Sequence, residues 1–556
     1  MTTNKREVRI LLDILKKRGV ENFVISPGSR NTPIIIGVAR DKHFTSQVVI
    51  DERSAAFVAL GLSAQIGKPV ALVCTSGTAV LNYAPAIAEA YYRNVPLIVI
   101  TADREPEVID QNDSQTIRQN NVYANYIKHS CTLPIDIKDE DEEQKLIKIV
   151  DKALTEAITP DFGPVHINVP LREPLAGLSP VEPLNIELPE QSPLQKTISS
   201  SEQKELIEKI SQYKKVMLLA SFAEPNEELD RALAKLVELP QVVLLTETIS
   251  NIKVEGAIAT IDRTLTQLTD DNRPESAPEL LITFGGSLVS KMIKTLLRTY
   301  KPKEHIHISE CSWKIDTFSA LTWQIDMPVS SLFSLIADKV LPNDSAYNKT
   351  WHDLAQRASD KKREYVASVG WSDMKAFSLI LPSIPADTYL QLSNGTPIRY
   401  AQLFDNYSCL KSTSNRGVSG IDGSTSTAIG AAFGTENMVL LITGDMGFQY
   451  DSNALSIANI PSNLKIIVIK NGGGGIFRFL PGTAALPELD RYFECVTDVK
   501  VKQLAETYSF DFYSATTEEE LMRMLPEFYA SPNRAIMEVV TPRTQNDIIL
   551  RNYFKS

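Results

Sequence analysis

Short apolar runs rich in β-branched residues alternate with helical patterns along nearly the whole chain. Continuous apolar strands with helices between them are typical of a parallel sheet that is covered on both faces. The runs are Asn22–Ser26, Gln47–Ile50, Pro69–Cys74, Pro96–Thr101, Gly163–Val169, Lys215–Ser221, Gln241–Thr246, Glu279–Phe284, His305–Ser309, Thr388–Leu392, Met438–Thr443, Leu464–Lys470 and Ala535–Val540. They predict an α/β fold of doubly wound parallel sheets.

The length of the chain and the grouping of these runs predict three domains. A chain of 556 residues is too long to fold around one hydrophobic core. The first gap between groups is expected to be an extended linker and contains Pro174, Pro180, Pro183, Pro189 and Pro193. The second gap is the polar, loop-like segment 341–350. We therefore predict three doubly wound parallel-sheet domains at 1–185, 186–350 and 351–556.

Charge and composition argue against several classes of protein. A net charge of -11 does not suit a general nucleic-acid surface. No apolar run approaches the ~20 residues that span a bilayer, and the charged start 1–17 lacks the features of a secretory signal. We expect a cytoplasmic protein. Cysteines without metal-site or disulfide spacing are predicted to be buried thiols: Cys74, Cys131, Cys311, Cys409 and Cys495.

Polar motifs follow several strands of the first predicted domain, where ligands bind in open parallel sheets. They are Ser26-Pro-Gly-Ser-Arg30, Asp51-Glu-Arg-Ser54, Thr75-Ser-Gly-Thr-Ala79 and Thr101-Ala-Asp-Arg104. Taken singly, each is explained more simply as a turn or a helix cap.

Two further motifs follow neighbouring strands of the last predicted domain. Gly444-Asp445 ends one strand and Asn471, followed by four glycines, ends the next, 471 − 445 = 26 residues later. Mg²⁺ prefers oxygen ligands, and glycine backbone at a helix start can approach a diphosphate. The pattern predicts a magnesium diphosphate site. The alternative is a cap at Asp445 and a mobile loop at 472–475, while a Rossmann fingerprint lacks its G-x-G-x-x-G order.

These motifs resemble those of the thiamine diphosphate enzymes, in the family's order of pyrimidine-binding, central and diphosphate-binding domains. The resemblance implies that Glu52 activates the cofactor, although an ion pair with Arg53 or a helix cap is its alternative. It also implies Mg²⁺, for which Mn²⁺ can substitute, held by Asp445, Asn471 and the Gly473 carbonyl. Further cofactor-binding residues implied are Ser76, Gly77, Gly444, Ile476 and Phe477, with Ile421 as the wedge that keeps the cofactor bent. For the three apolar residues, ordinary core is the alternative.

More narrowly, the branch of the family that serves menaquinone biosynthesis is resembled by the four motifs of the first predicted domain, with the third extended to Val80, together with Ile117-Arg-Gln119 and Ser414–Gly423. That branch decarboxylates 2-oxoglutarate and adds the succinyl carbanion equivalent 1,4 to isochorismate. Both substrates carry two carboxylates, which the planar fork of arginine pairs well. The match implies that Arg399 and Arg416 hold the succinyl carboxylate. It places Ser29, Arg30, Arg104, Gln115 and Lys291 around isochorismate.

Two positions depart from the family's patterns. Met446 stands where the generic motif has a second glycine, and Met292 stands where some relatives carry a second basic residue after Lys291. The family joins the glutamate and the magnesium motif across two subunits. The resemblance therefore implies a homodimer with shared active sites, and it allows a homotetramer of two such dimers.

Three alternatives compete with this hypothesis. An acetohydroxyacid synthase or a 2-oxo acid decarboxylase would share Glu52, Asp445 and Asn471 but not the arginine set. The central domain has no glycine loop for a flavin phosphate beyond Gly285-Gly286. A catalytically silent nucleotide-binding or regulatory protein is a second alternative. A serine hydrolase has little support, because the histidines lie outside the motifs and no G-x-S-x-G occurs.

Overall fold

The computed structural model describes residues 1–190, 196–311, 313–405 and 408–556. The described residues form two compact units. The first unit spans Met1–Leu194, Asn415–Met438 and Tyr450–Leu464; the second spans Gln195–Ser414, Val439–Gln449 and Lys465–Ser556. The division at 185 and 350 stays a prediction, and residue 350 lies inside a helix, Tyr347–Ser368.

The first third of the chain forms a six-stranded parallel sheet with helices around it. The strands of this third, two of which lie outside the six-stranded sheet, are β1 (Thr2–Thr3), β2 (Asn22–Ile25), β3 (Thr45–Val48), β4 (Val70–Cys74), β5 (Leu97–Asp103), β6 (His129–Thr132), β7 (Val165–Pro170) and β8 (Leu178–Ser179). Its α-helices are α1 (Arg6–Lys17), α2 (Thr32–Arg40), α3 (Glu52–Ile66), α4 (Thr78–Asn82), α5 (Ala84–Arg93) and α6 (Glu140–Ile158). The sheet order is β3-β2-β4-β5-β7-β6, while β1 and β8 form an antiparallel pair.

The middle third forms a five-stranded parallel sheet in the order β10-β9-β11-β12-β13. The strands are β9 (Val216–Ala220), β10 (Val242–Thr246), β11 (Leu280–Phe284), β12 (Glu304–Ile308) and β13 (Leu321–Ile325). The α-helices are α7 (Ser200–Gln212), α8 (Glu227–Leu236), α9 (Ile261–Leu265), α10 (Arg273–Ser276), α11 (Lys291–Thr299), α12 (Val329–Ile336) and α13 (Tyr347–Ser368).

The last third adds a six-stranded sheet in the order β15-β14-β16-β17-β19-β18. The strands are β14 (Tyr389–Leu392), β15 (Lys411–Thr413), β16 (Val439–Gly444), β17 (Leu464–Lys470), β18 (Asp511–Ala515) and β19 (Ala535–Val540). The α-helices are α14 (Asp373–Ser383), α15 (Pro397–Ala401), α16 (Ser424–Phe433), α17 (Asp445–Tyr450), α18 (Ile476–Phe479), α19 (Pro481–Ala484), α20 (Val501–Thr507), α21 (Glu518–Ala530) and α22 (Asn546–Lys555). Short 3-10 helices lie at Pro106–Val108, Ala124–Tyr126, Thr248–Ser250, Ala337–Lys339 and Ser452–Ser456, and a π-helix lies at Leu489–Phe493.

The α/β prediction is confirmed, since parallel sheets flanked by helices form the fold. The predicted runs correspond to β2–β5, β7, β9–β12, β14, β16, β17 and β19, with ends that differ by one or two residues. The strands that the sequence did not predict in these sheets, β6, β13, β15 and β18, all lie at sheet edges. Edge strands are partly exposed, so they lack the continuous apolar pattern of a buried parallel strand.

The stretch after β7, which the sequence predicts to be an extended linker, is packed against the first unit. Leu175 and Ile186 are buried in the core of the first unit. The Lys17 ammonium donates to the Ile186 carbonyl at 2.6 Å, and the Arg18 guanidinium donates to the Pro189 carbonyl at 3.0 Å. The stretch therefore packs against α1 as an extended chain; Pro193 lies outside the described residues.

The cysteines are all free, but they are not all buried. Cys74 is buried, and Cys495 is exposed, so the prediction of buried thiols is wrong for Cys495. The other three are only partly buried: Cys131, Cys311 and Cys409. In the part of the chain that the structure describes, no helix is both long enough and apolar enough to cross a membrane.

Helices α3 and α16 pack backbone to backbone within the first unit. An ideal Cβ on Gly61 would lie 2.0 Å from the Thr427 carbonyl oxygen, and one on Gly430 would lie 2.1 Å from that of Val58. Only glycine permits this approach. The pair matters for the site because α3 begins at Glu52 and α16 begins directly after the segment that carries Ile421.

We expect Gly430→Ala to destabilise the first unit. The added methyl group would meet helix backbone that cannot rotate away, so the helices must separate, at a cost of about 3 kcal/mol. The expected result in thermal unfolding is a Tm lower by roughly 5–10 °C. Gly482→Ala is the matched control, because no atom lies within 4 Å of an ideal Cβ on this helical glycine. Equal Tm values for both variants would contradict the close packing.

Candidate active site

Glu52 is the first residue of α3. Its two neighbours show that it is neither the cap of this helix nor the ion-pair partner of Arg53. Asp51 is the N-cap: its carboxylate accepts from the Ser54 amide at 3.2 Å and from the Asn453 side chain at 2.8 Å. The Arg53 guanidinium donates to the Tyr450 carbonyl at 2.9 Å and lies over that ring. Among the described residues, none forms a hydrogen bond or ion pair with the half-buried Glu52 carboxylate. Neither the cap nor the Arg53 ion pair therefore accounts for Glu52.

The motifs that follow β2 and β4 pack together at the edge of the first sheet. The Arg30 amide donates to the Thr75 hydroxyl at 3.2 Å, and the buried Arg30 guanidinium donates to the Leu171 carbonyl at 3.0 Å. An ideal Cβ on Gly28 would lie 2.3 Å from that of Thr75, so the close approach of the two loops requires glycine.

A buried network of polar side chains binds the backbone amides of Gly77 and Arg104. The Gly77 amide donates to Gln119 at 3.1 Å, and the Gln119 amide group donates to Asn168 at 2.9 Å. Asn168 in turn donates to Asp103 at 2.8 Å, and Asp103 accepts from the Arg104 amide at 2.8 Å. Burial raises the pKa of the Asp103 carboxyl. No sequence pattern indicated a role for Asn168. Asp103 and Gln119 lay in recognised motifs, but their bonds depend on three strand ends meeting.

The positively charged side chains of Arg30 and Arg104 lie close enough to repel each other. Burial and, after it, the charge of Arg104 lower the pKa of Arg30, while Glu105 at 3.8 Å and Glu173 at 3.6 Å partly compensate. Two like charges placed in this way favour the binding of an anion between or beside them. The exposed residues Ser29 and Gln115 lie in the same loops, where the Gln115 carbonyl accepts from the Ser76 hydroxyl at 3.0 Å.

Asp445 organises the glycine loop within the second unit. It is the first residue of α17, and one of its carboxylate oxygens accepts from the Gly472 amide at 2.8 Å and the Gly473 amide at 3.1 Å. The other oxygen accepts from the Met446 amide at 2.8 Å. Burial raises the pKa of Asp445 to about 6. These bonds hold the beginning of the loop, which the sequence left open as a mobile segment.

Glycine is required in this loop for steric reasons. Gly473 has φ +144, and its ideal Cβ would lie 2.6 Å from the Glu494 carbonyl oxygen. An ideal Cβ on Gly474 would lie 2.9 Å from the Met446 sulfur. Met446 therefore packs where the loop has no side chain, which is how the fold accommodates this departure from the generic motif.

Asn471 is oriented by a buried carboxylate that the sequence did not indicate. Its amide nitrogen donates to Asp373 at 2.9 Å, and Asp373 also accepts from the Thr541 hydroxyl at 2.5 Å. Burial raises the pKa of Asp373 to about 6. Because the nitrogen is engaged, the Asn471 side-chain oxygen is the atom left for another partner. Asp373 lies 98 residues before Asn471, so no local pattern could reveal the pair.

The donor set fits a hard cation. Within 1–190, 196–311, 313–405 and 408–556, no group of three or more His, Cys, Asp or Glu could hold a metal by itself. Asp445 and Asn471 instead offer one carboxylate and one amide oxygen beside the glycine loop. Mg²⁺ is commonly bound in this way, by few protein oxygens together with phosphate oxygens and water. Ile476 and Phe477 begin α18 directly after this loop and are half-buried.

Arg399 and Ser290, the residue before Lys291, both interact with the carboxyl of Asp262. Lys291 is the exposed first residue of α11, directly after Ser290, whose hydroxyl donates to Asp262. Burial lowers the pKa of the Arg399 guanidinium, and the charges of Asp262 and Glu247 oppose that shift. Met292 packs against the apolar core, so no second cation follows Lys291 there.

Arg416 and Ile421 lie in the segment between β15 and α16. Ile421 is 36% exposed, so it is not a core residue. Gly423, the N-cap of α16, packs against the ring of Phe57 from α3.

The predicted site residues are divided between the two units. The first unit holds Ser29, Arg30, Glu52, Ser76, Gly77, Arg104, Gln115, Arg416 and Ile421. The second holds Lys291, Arg399, Gly444, Asp445, Asn471, Gly473, Ile476 and Phe477.

Two family models match the chain. Residues 6–122 match the thiamine pyrophosphate enzyme, N-terminal TPP binding domain. Residues 395–539 match the thiamine pyrophosphate enzyme, C-terminal TPP binding domain. Thiamine pyrophosphate is the same cofactor as thiamine diphosphate. The first match contains Glu52, and the second contains Asp445 and Asn471.

Relatives named 2-succinyl-5-enolpyruvyl-6-hydroxy-3-cyclohexene-1-carboxylate synthase are similar over nearly the full length. The protein of Porphyromonas gingivalis is 41% identical over 99% of this chain and 97% of its own. The proteins of Flavobacterium psychrophilum and Flavobacterium johnsoniae are 41% and 42% identical, each over 98% of both chains. The chain is a thiamine diphosphate-dependent enzyme that forms carbon–carbon bonds, and it belongs to the family of 2-succinyl-5-enolpyruvyl-6-hydroxy-3-cyclohexene-1-carboxylate synthases.

Proposed function

We propose that the enzyme decarboxylates 2-oxoglutarate and adds the resulting succinyl unit 1,4 to isochorismate, with thiamine diphosphate and Mg²⁺, in menaquinone biosynthesis. The product would be 2-succinyl-5-enolpyruvyl-6-hydroxy-3-cyclohexene-1-carboxylate, the compound in the relatives' name. The observation that carries the proposal is the unengaged carboxylate of Glu52 at the start of α3, beside a capping Asp51 and an Arg53 that is bonded elsewhere.

Glu52 is the residue that moves a proton at the cofactor. Thiamine diphosphate, when bound, supplies the electron sink for decarboxylation of a 2-oxo acid. The Glu52 carboxylate would share a proton with N1′ of the aminopyrimidine, because no described side chain competes for it. Ile421 offers an exposed apolar face on which the bent cofactor can rest. Ser76 and Gly77 would line the pyrimidine side, and Ile476 and Phe477 the thiazolium side.

Asp445 and Asn471 would hold Mg²⁺ through side-chain oxygens, and Gly473 would hold it through its carbonyl. Asp373 contributes by binding the Asn471 nitrogen, so that the oxygen of the same amide faces away. Gly444 keeps space open beside Asp445, since no atom lies within 4 Å of its ideal Cβ. The loop glycines let the backbone approach the diphosphate.

The arginines would bind the carboxylates of the two substrates. Arg399 and Arg416 are proposed for the distal carboxylate of 2-oxoglutarate. For isochorismate, the mutual repulsion of Arg30 and Arg104 supports an anion site, because a bound carboxylate would relieve it. Ser29, Gln115 and Lys291 complete the proposed isochorismate set.

The proposed active assembly is a homodimer with shared sites. The proposal follows the family, in which the activating glutamate and the Mg²⁺ residues of one site belong to two subunits. A dimer of dimers is the larger assembly in the same proposal. We assign residues 1–185 to pyrimidine binding, 186–350 to the central domain and 351–556 to diphosphate binding, and we place the enzyme in the cytoplasm.

The test of this function is product formation from 2-oxoglutarate and isochorismate with thiamine diphosphate and Mg²⁺. Mass spectrometry should detect the succinylated ring and one CO₂ per product. Turnover of 2-oxoglutarate with another acceptor, but not with isochorismate, would reject the specific reaction and keep the cofactor class. Flavin bound to the purified protein would favour the acetohydroxyacid synthase alternative.

We expect Arg399→Ala to raise the KM for 2-oxoglutarate by roughly 10- to 100-fold. A hydrogen-bonded charged partner contributes about 1.5–3 kcal/mol, and each 1.4 kcal/mol is tenfold in affinity. Steady-state kinetics at saturating isochorismate measure the change. Arg357→Ala, an exposed arginine on α13, is the control and should leave KM unchanged. An unaltered KM in Arg399→Ala would remove this residue from the substrate site.

A further inference from the structure

Glu89 is a buried carboxylate that binds the loop carrying Arg416. It lies on α5 and is 2% exposed. One carboxylate oxygen accepts from the Gly417 amide at 2.8 Å, and the other accepts from the Val418 amide at 2.7 Å. All these residues belong to the first compact unit. A single side chain thus fixes two successive peptide groups of a loop more than 300 residues away in sequence.

Within the described part of the chain, the Glu89 carboxylate is bonded to backbone amides and not to a cation. In the described ranges no Lys, Arg or His forms an ion pair with it, so two backbone amides are its bonded partners. Burying a carboxylate is costly, and an apolar residue of similar volume often packs in such a place at lower cost. The geometry that this carboxylate imposes on the loop therefore explains it better than stability does.

The backbone is fixed on both sides of Arg416. Before it, the Asn415 side chain accepts from the Arg93 guanidinium at 3.1 Å and donates to the Thr427 hydroxyl at 3.0 Å. After it, Gly417 lies so close to α5 that an ideal Cβ would be 2.6 Å from the Glu89 carbonyl oxygen. The loop thus has little freedom at the point where Arg416 leaves it.

We propose that Glu89 is a positioning residue for substrate binding. By holding the amides of residues 417 and 418, it sets the direction in which Arg416 presents its guanidinium to the distal carboxylate of the 2-oxo acid. The inference rests on the proposed function, in which Arg416 binds that carboxylate.

Glu89→Gln tests this role with little change in volume. Glutamine has one accepting oxygen and one NH₂ group, so one of the two loop amides loses its acceptor and faces a donor. We expect the KM for 2-oxoglutarate to rise by roughly 10- to 100-fold, since small misplacements of a binding group can cost this much. The KM for isochorismate and the Kd for thiamine diphosphate should stay within about twofold, because neither depends on Arg416.

A double-mutant cycle separates positioning from general damage. If Glu89 acts through Arg416, Glu89→Gln should change the KM for 2-oxoglutarate by less than about twofold in an Arg416→Ala background. An equal effect in both backgrounds, or none in the wild type, would overturn the role of Glu89. If Arg416→Ala itself leaves this KM unchanged, both the inference and the substrate role of Arg416 fail. If only Arg416→Ala raises it, the proposed function stands and the positioning role is rejected.

Two further variants keep the test decisive. Glu7→Gln is the matched control, because Glu7 is also buried in the first unit, on α1, and should leave the KM for 2-oxoglutarate unchanged. If Glu89→Gln does not fold, Gly417→Ala perturbs the same contact from the loop side. It should raise the same KM selectively, and an unselective loss or no change would count against the proposal.

Discussion

Glu52→Gln is expected to lower kcat by roughly 10²- to 10⁴-fold, the range that a positioned proton-transferring group contributes. Glutamine keeps the size of the side chain, but it cannot accept or return the proton at N1′. The N-cap should survive, because Asp51 and not Glu52 binds the Ser54 amide. The Kd for thiamine diphosphate should therefore change much less than kcat.

Steady-state kinetics at saturating cofactor, with the Kd measured by calorimetry, checks this expectation. Glu436→Gln is the control, because Glu436 is an exposed glutamate in the same compact unit. Wild-type turnover by Glu52→Gln would reject Glu52 as the activating group, and it would revive the catalytically silent alternative. If Glu52→Gln lowered both Tm and kcat, Glu52 would instead have a structural role at the start of α3.

Asp445→Ala is expected to abolish tight cofactor binding, with a Kd for thiamine diphosphate and Mg²⁺ raised at least about 100-fold. The change removes a proposed metal ligand. It also removes the acceptor of the Gly472 and Gly473 amides, so the glycine loop loses its anchor in the free protein. Both effects lower affinity for the diphosphate.

Titration with cofactor at several Mg²⁺ concentrations measures the loss for Asp445→Ala. Asp387→Ala, an exposed residue before β14, is the control and should bind normally. If Asp445→Ala bound cofactor with wild-type affinity and Mg²⁺ dependence, the magnesium site would have to be sought elsewhere.

The same two variants examine the shared site. When Glu52→Gln and Asp445→Ala chains are co-expressed and purified as mixed dimers, one site would combine an intact Glu52 with an intact Asp445 from the other chain. Activity should then return, although each variant alone is inactive. Mixed dimers that stay inactive would contradict sites shared between chains.

Local patterns in the sequence were sufficient for the central strands and for the loops that follow them. Continuous apolar runs identified β4, β5, β16 and β17, because a strand buried on both faces is mostly apolar. The motifs at Glu52, Asp445 and Asn471 were recognisable for a related reason: ligands meet a parallel sheet where its strands end, so the informative residues directly follow the strands.

Only the tertiary structure decided which neighbour supports each of these residues. Asp51 and Glu52 are adjacent acids, and the backbone direction at the start of α3 determines which of them caps the helix. Asp373 accepts a hydrogen bond from Asn471, and Glu89 accepts one from Gly417. These residues are too far apart in the sequence for a periodic pattern to pair them. The sequence by itself thus determined the fold class and the candidate groups for the proposed chemistry. Their orientation depends on hydrogen bonds between distant segments, which exist only once the sheets and helices have packed.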